Sequence, residues 1–282
     1  MTSSSTVPVV ALNNGVEIPQ VGLGVFQVPE DQTQQVVEAG LECGYRHIDT
    51  AAAYYNEAGV GAAIRASGLP REELFVTTKL RNADQGRDKA RTAFERSREQ
   101  LGLEVLDLYL IHWPMPGKDL YVETWEVFQE LQAEGAVRAI GVSNFLPEHL
   151  NRLLADTDVV PAVNQIELHP TFQQPATVEA TKSAGIAVEA YSPLGQGKDL
   201  NADAVSRAAG AHAVTPAQVV LRWQLQNGTI VIPKSTHRER LTANLDLFGF
   251  ELTEAEMSAI TALDSAERIG GNPAAMEWSQ AR

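Results

Sequence analysis

Asp49, Lys79 and His112, with the adjacent tyrosines Tyr54 and Tyr55, are the residues of this sequence whose types could do chemistry together. The first three lie at the ends of short apolar runs, "YRHIDT", "LFVTTKL" and "VLDLYLIHW". The tyrosines follow Asp49 after a stretch of small residues. A tyrosine hydroxyl ordinarily titrates at about 10. A nearby ammonium stabilises its phenolate and lowers that pKa, and a carboxylate keeps that ammonium charged and oriented. A histidine can hydrogen-bond the same oxygen. Such a set suits a proton donor to a carbonyl oxygen as hydride reaches the carbon. The residues alone leave open whether Tyr54 or Tyr55 is the acid.

The elements that must hold these residues alternate in type. Apolar strand-like runs occur at 21–26, 45–50, 74–80, 105–113, 137–145, 161–168, 185–192 and 228–235. Polar, helix-period segments occupy 31–43, 57–67, 87–101, 121–134, 147–155, 174–184, 215–227 and 238–246. Eight strands alternating with eight helices predict an α/β fold, a (β/α)8 TIM barrel forming a single domain over 1–282. "VPVVALNNGVEIPQ" predicts an N-terminal β-hairpin turning at Asn13-Asn14-Gly15. Thr215-Pro216 reads as a cap with proline at the first helical position. "PLGQGKDLNADAVSRAAGAH" reads as a glycine-rich loop with a short extra helix. "ELTEAEMSAITAL" predicts an extra C-terminal helix, with Thr253 as cap and Glu256 at N3.

Active sites of such barrels lie at the C-terminal strand ends. The polar residues there continue around the ring: Ser143-Asn144, Gln165 and Glu167, Tyr191-Ser192, then Lys234-Ser235. His47, two residues before Asp49, reads as a barrel-layer residue, and Trp125 as helix-face core. The six histidines are scattered with no i, i+4 pair, so no metal is expected. A glycosidase pair of Glu167 and Glu189 would leave Asp49, Lys79 and Tyr54 unexplained.

The net charge of −14 gives no global positive field, so no nucleic acid is expected as a partner. Cys43 is the only cysteine and reads as a small hydrophobe, which fits a reducing cytoplasm. No signal peptide is read at "MTSSSTVPVV". No apolar run approaches the roughly 18 residues of a membrane span. Hydride needs a source such as a nicotinamide cofactor. "GLGVFQ" and "GVGAAI" lack the last glycine of a dinucleotide fingerprint and read as structural. "PKSTHRERLTAN" instead brings Lys234, Ser235, Arg238 and Arg240 to a helix N-terminus, a candidate phosphate site.

The stretches "GYRHIDTAAAY", "LFVTTKL", "DLYLIHWP", "AIGVSNF", "AVNQIELHP", "YSPLGQG" and "IPKSTHRERLTANLDLFGFELT" together resemble the aldo-keto reductase family. Within it the sequence is most similar to the bacterial 2,5-diketo-D-gluconate reductase group. The resemblance implies reduction of aldehydes and ketones by NADPH, giving NADP+, on a metal-free monomeric barrel. Expected substrates are 2,5-diketo-D-gluconate and other α-dicarbonyl or sugar-type carbonyls. The family tetrad falls on Asp49, Tyr54, Lys79 and His112, the tyrosine five residues after the aspartate. Ser143, Asn144 and Gln165 match the carboxamide-binding residues, and Tyr191 matches the ring that stacks on the nicotinamide. Ser192, Pro193, Leu194 and Gln196 match the pyrophosphate loop. Lys234, Ser235, Thr236 and Arg240 match the 2′-phosphate site, and Asn244 the adenine contact. Phe26 and Trp113 match substrate-pocket walls. Arg81 stands where the group usually has tryptophan, so it joins the expected substrate contacts. Tyr55, Thr236, Ala243 and Asn272 also depart from the usual pattern. The alternative function is an NADPH-binding regulatory barrel with negligible turnover, which only Arg81 favours.

Overall fold

The computed structural model describes residues 7–277; the ends of the expected 1–282 domain lie outside the described residues. The chain opens with an antiparallel hairpin, β1 (Val9–Ala11) and β2 (Glu17–Pro19). Its turn places Gly15 at φ 83°, as the Asn-Asn-Gly sequence predicts. The barrel then runs β3 (Leu23–Gly24), α1 (Glu30–Cys43), β4 (His47–Asp49), α2 (Glu57–Ser67), β5 (Phe75–Leu80) and α3 (Arg87–Leu101). It continues through β6 (Leu106–Ile111), α4 (Tyr121–Ala133), β7 (Val137–Ser143), α5 (Pro147–Asp156), β8 (Val163–Glu167) and α6 (Pro175–Ser183). The last elements are β9 (Ala187–Tyr191), α7 (Asp203–His212), α8 (Pro216–Gln226), β10 (Ile230–Val231), α9 (Arg238–Leu245) and α10 (Glu254–Thr261).

Strands β3 to β10 pair in chain order, all parallel. Val21 bridges Val231, and the Gly22 N–H donates to the Val231 carbonyl at 2.8 Å, so the sheet closes on itself. This is the expected (β/α)8 barrel. The first and last strands are shorter than 21–26 and 228–235. Pro233 has no N–H to extend the ladder from β10, so only single hydrogen bonds, such as Gly24 N–H to the Pro233 carbonyl at 3.2 Å, continue it. The Thr215 and Thr253 caps both form, each with its N3 side chain reaching back to the cap N–H.

Side-chain alternation sorts the barrel interior into layers. Leu12 and Ile18 of the hairpin pack on Phe75, Leu108, Leu110, Ala139 and Val163, closing the N-terminal mouth. Further along the same inward rows the side chains turn polar: His47 and Asp49 on β4, Thr77 and Lys79 on β5, Gln165 on β8 and Glu189 on β9. A fully buried polar layer must satisfy itself. His47 does so in part through Thr77, with Nε2 at 3.2 Å from the hydroxyl. Trp125 is fully buried, as its helix-face spacing predicts.

"GVGAAI" lies within α2, and its glycines serve packing. A Cβ on Gly59 would come within 2.9 Å of Thr33 on α1. One on Gly61 would lie 2.2 Å from the Leu101 carbonyl oxygen at the end of α3. Backbone cannot move aside as a side chain can. Gly61→Ala is therefore expected to destabilise the fold by about 1–3 kcal/mol despite better helix propensity. Gly210→Ala on α7, where nothing lies within 4 Å, should be stabilising by up to about 1 kcal/mol. Urea unfolding of the two variants checks both signs.

Candidate active site

Asp49 ends β4 and Lys79 lies on the adjacent strand, one inward position beyond Thr77, which pairs with Asp49. The Lys79 ammonium is completely buried. It donates to Asp49 Oδ1 at 2.6 Å, to the Thr50 carbonyl at 2.8 Å and to the Tyr54 hydroxyl at 3.4 Å. Three acceptors thus meet its three N–H groups. Burial pulls the lysine pKa down, but Asp49, with Tyr54 and Glu189, holds it above the ordinary lysine value. Burial also raises the Asp49 carboxyl above the usual aspartate range, against the pull of Lys79 and Gln165.

Tyr54 closes a single 3-10 turn, Ala52–Tyr54, immediately after β4. Asn56 fixes this turn. Its buried side chain accepts from the Thr50 hydroxyl at 2.8 Å and donates to the Val25 and Val28 carbonyls at 3.0 and 3.3 Å. Tyr55 sits at φ 57°, so the chain swings between the two tyrosines. Tyr54 meets Lys79, whereas Tyr55 hydrogen-bonds Arg81. The expected lowering of the tyrosine pKa is not found: burial raises Tyr54 above the ordinary phenol value, and Lys79 pulls it down without overcoming burial. The His112 ring stands edge-on to Tyr54, with centroids 5.7 Å apart. Burial and then Lys79 hold its pKa well below the ordinary value, so His112 is neutral at neutral pH. Phe26, half exposed, also packs on Tyr54, with ring centroids 5.0 Å apart.

A second group adjoins these four. Ser143 donates to the Gln165 carbonyl at 2.9 Å. Asn144, at φ 64°, donates to the His112 carbonyl at 2.9 Å and accepts from the Tyr191 hydroxyl at 2.7 Å. Gln165 Nε2 donates to Asp49 Oδ2 at 2.8 Å and to Glu189 Oε2 at 2.7 Å. Ser192, Pro193, Leu194 and Gln196 follow β9 in a tightly wound loop, with Ser192 and Gln196 both at positive φ. The Pro193 carbonyl is held by Gln224 at 2.9 Å.

Beyond β10, Lys234 and Thr236 are exposed and Ser235 is buried, just before α9; Arg240 is exposed and Asn244 buried on that helix. Lys234 and Arg240 make no ion pair among the described residues, and His237 gives α9 no side-chain cap. Two uncommitted cations at an uncapped helix N-terminus have the donor chemistry for a phosphate group. Arg238 differs from the others, because it pairs with Glu42 at 2.5 Å. Trp113 is buried, and its ring lies 3.4 Å from where a Cβ on Gly271 would sit, so the C-terminal segment covers it. Arg81, part exposed, donates to Asp84 at 2.9 Å; Arg96 donates to the same carboxylate oxygen at 2.7 Å.

Four further residues hold the site and escaped the sequence reading of roles: Asn56, Glu189, His169 and Asp199. Glu167 accepts from the Ile269 and Gly270 N–H groups at 2.6 and 2.8 Å, docking the C-terminal segment. His169 sits between Glu167, at 3.1 Å, and Asp199 of the wound loop, at 2.9 Å. A histidine two residues after a strand-end glutamate was the only sequence signal for this clasp.

The aldo/keto reductase family model matches residues 20–265. The chain belongs to that family. An aldo-keto reductase of Mycolicibacterium smegmatis is 51% identical over 266 residues, 94% of this reductase and 97% of the relative. A glyoxal reductase of Bacillus subtilis is 49% identical over 265 residues, 94% and 95% of the two chains. Among solved structures, the D53A mutant of Gox0644 in complex with NADPH has a TM-score of 0.93 and 47% identity, covering 96% of this reductase and 99% of that chain.

His169 gives this reductase a pH-dependent fastening. Burial lowers its pKa, but Asp199 and then Glu167 raise it to about 9, from an ordinary 6.5. The folded protein therefore holds a proton that the unfolded chain releases. Its stabilisation is complete below about 6.5 and is lost as the pH rises through about 9. In that window the wild type should lose up to about 1.4 kcal/mol per pH unit from this group. His169→Gln should flatten the slope of urea-unfolding free energy against pH. Equal slopes in the two proteins would count against the clasp.

Proposed function

We propose that this aldo/keto reductase, an NADP-dependent oxidoreductase, reduces aldehydes and ketones with Tyr54 as general acid. The observation that carries the assignment is the buried Lys79 ammonium joining the Asp49 carboxylate to the Tyr54 hydroxyl. Bound NADPH supplies the hydride. Tyr54 gives its proton to the carbonyl oxygen, and Lys79 stabilises the phenolate left behind. Asp49 keeps Lys79 charged. His112, neutral, donates a hydrogen bond that orients the carbonyl. Ser143, Asn144 and Gln165 would hold the carboxamide, and Tyr191 would stack on the nicotinamide. Ser192, Pro193, Leu194 and Gln196 would lie along the pyrophosphate. Lys234, Ser235, Thr236 and Arg240 would take the 2′-phosphate, and Asn244 the adenine. The uncommitted charges of Lys234 and Arg240 favour NADPH over NADH.

The substrates we assign are α-dicarbonyl and sugar-type carbonyls, 2,5-diketo-D-gluconate among them. The sequence resemblance to that reductase group supports this, as does a relative named for glyoxal, itself an α-dicarbonyl. Phe26 and Trp113 would wall the pocket. Arg81 and Arg96 share one Asp84 carboxylate, and the Glu57 carboxyl lies within electrostatic reach of both; Arg81 would offer its N–H donors to a second oxygen on the substrate. This pairing gives Arg81 a use other than disabling the site, so the regulatory alternative loses its one support. We further assign one domain, a monomer and the cytoplasm; no helix among the described residues is long and apolar enough to cross a membrane.

Following NADPH absorbance with a panel of simple aldehydes and α-dicarbonyls tests the assignment. Tyr54→Phe should bind NADPH nearly as well as wild type and lose roughly 10²–10⁴-fold in turnover. Tyr55→Phe should retain turnover within a few-fold. Arg81→Trp should shift preference toward simple aldehydes. Undiminished turnover in Tyr54→Phe, or its loss in Tyr55→Phe instead, would overturn the choice of acid.

A further inference from the structure

Glu189 is a buried carboxyl that the proposed chemistry leaves without a role. It sits on β9 two residues before Tyr191, in register with Gln165 of β8, and is fully buried. Its Oε2 accepts from Gln165 Nε2 at 2.7 Å, and the same nitrogen donates to Asp49 Oδ2 at 2.8 Å. Both N–H bonds of one amide are thereby committed to two carboxyls. The amide oxygen is left directed away from them. Carboxyls are seldom fully buried in a strand interior without a partner that requires them.

The surrounding groups set the charge of this carboxyl. Asp49 and His47 face it from β4, Lys79 from β5 and Gln165 from β8; Thr77 of β5 bonds His47, and Ile230 of β10 pairs beside it. Lys79 is the one cation of this set, and Asp49 engages it at 2.6 Å. His47 Nε2 lies 3.6 Å from Glu189 Oε1, but burial lowers the histidine to about 3, so it brings no charge. Glu189 Oε1 has no hydrogen-bond partner. A second carboxylate here would be an uncompensated charge in a closed interior, which is strongly unfavourable.

We propose that Glu189 is a positioning residue: an uncharged carboxylic acid that, with Asp49, clamps the Gln165 amide in one orientation and presents its oxygen to the carboxamide of NADPH. The inference rests on the proposed cofactor site, in which Gln165 holds that carboxamide. Burial and then the Asp49 charge push the Glu189 carboxyl up to about 8, against the pull of Gln165 and Lys79. Its ionisation would make Lys79 and Tyr54 hold their protons more tightly. An uncharged Glu189 therefore also keeps Tyr54 the better acid.

The test compares wild type, Glu189→Gln and Glu189→Leu. NADPH affinity is read from quenching of intrinsic fluorescence at neutral pH, and folding from thermal melting. Glu189→Leu removes the acceptor and should weaken NADPH binding by about five-fold or more. Glu189→Gln keeps an acceptor oxygen and should restore affinity to within about two-fold. The infrared difference between wild type and Glu189→Gln should show a protonated-carboxyl band at neutral pH, lost as the pH passes about 8. If Glu189→Leu fails to fold, the Glu189→Gln titration and the infrared band decide. A folded Glu189→Leu variant with wild-type affinity would overturn the clamp. So would Glu189→Gln weakened five-fold, or a missing carboxyl band. If wild type itself failed to bind NADPH, the cofactor reading would fall and the clamp's purpose with it; the infrared band still reads the carboxylic acid separately.

Discussion

A lysine ammonium sealed inside a barrel is the constraint on which the rest of the site depends. Removing such a charge from water costs several kcal/mol even after the surroundings relax, unless partners replace the lost solvation. Lys79 finds three: the Asp49 carboxylate, the Thr50 carbonyl and the Tyr54 hydroxyl. All three partners come from β4 and the turn that follows it. The pairing of β4 with β5, and the turn built by Asn56, are thus the structural conditions for a charged Lys79.

Charge is then rationed across the polar layer. Asp49 answers Lys79, while His47 and His112 stay neutral because burial holds both pKa values down. Low local dielectric strengthens each interaction that is made and penalises each one missed. Tyr54 feels both effects. Burial makes its phenol a weaker acid, and Lys79 opposes that change without cancelling it. In its proposed role, Tyr54 would keep its proton at neutral pH until a carbonyl oxygen gains negative charge beside it.

The barrel was legible because strand and helix periods differ and alternate cleanly along the chain. The strand-end residues were legible because Asp49, Lys79 and His112 interrupt apolar runs. Other features are set by geometry that periodicity does not carry. Which tyrosine meets Lys79 depends on the left-handed backbone at Tyr55, and the residues alone did not decide it. The direction of the Tyr54 shift depends on depth of burial, which a sequence does not display. Arg238 reads as one more phosphate ligand until α1 brings Glu42 beside it. Glu189 and Asp199 act through residues 24 and 30 positions earlier in the chain, contacts that only the folded barrel creates.

In the proposed mechanism Asp49 keeps Lys79 charged, and this charge supports proton donation by Tyr54. The most direct measurement is the pH dependence of single-turnover carbonyl reduction in Asp49→Asn beside wild type. Without the aspartate, Lys79 should lose its proton at lower pH. The expected result is a slower reaction whose alkaline limb moves to lower pH. An alkaline limb and plateau rate both unchanged from wild type would contradict the claim.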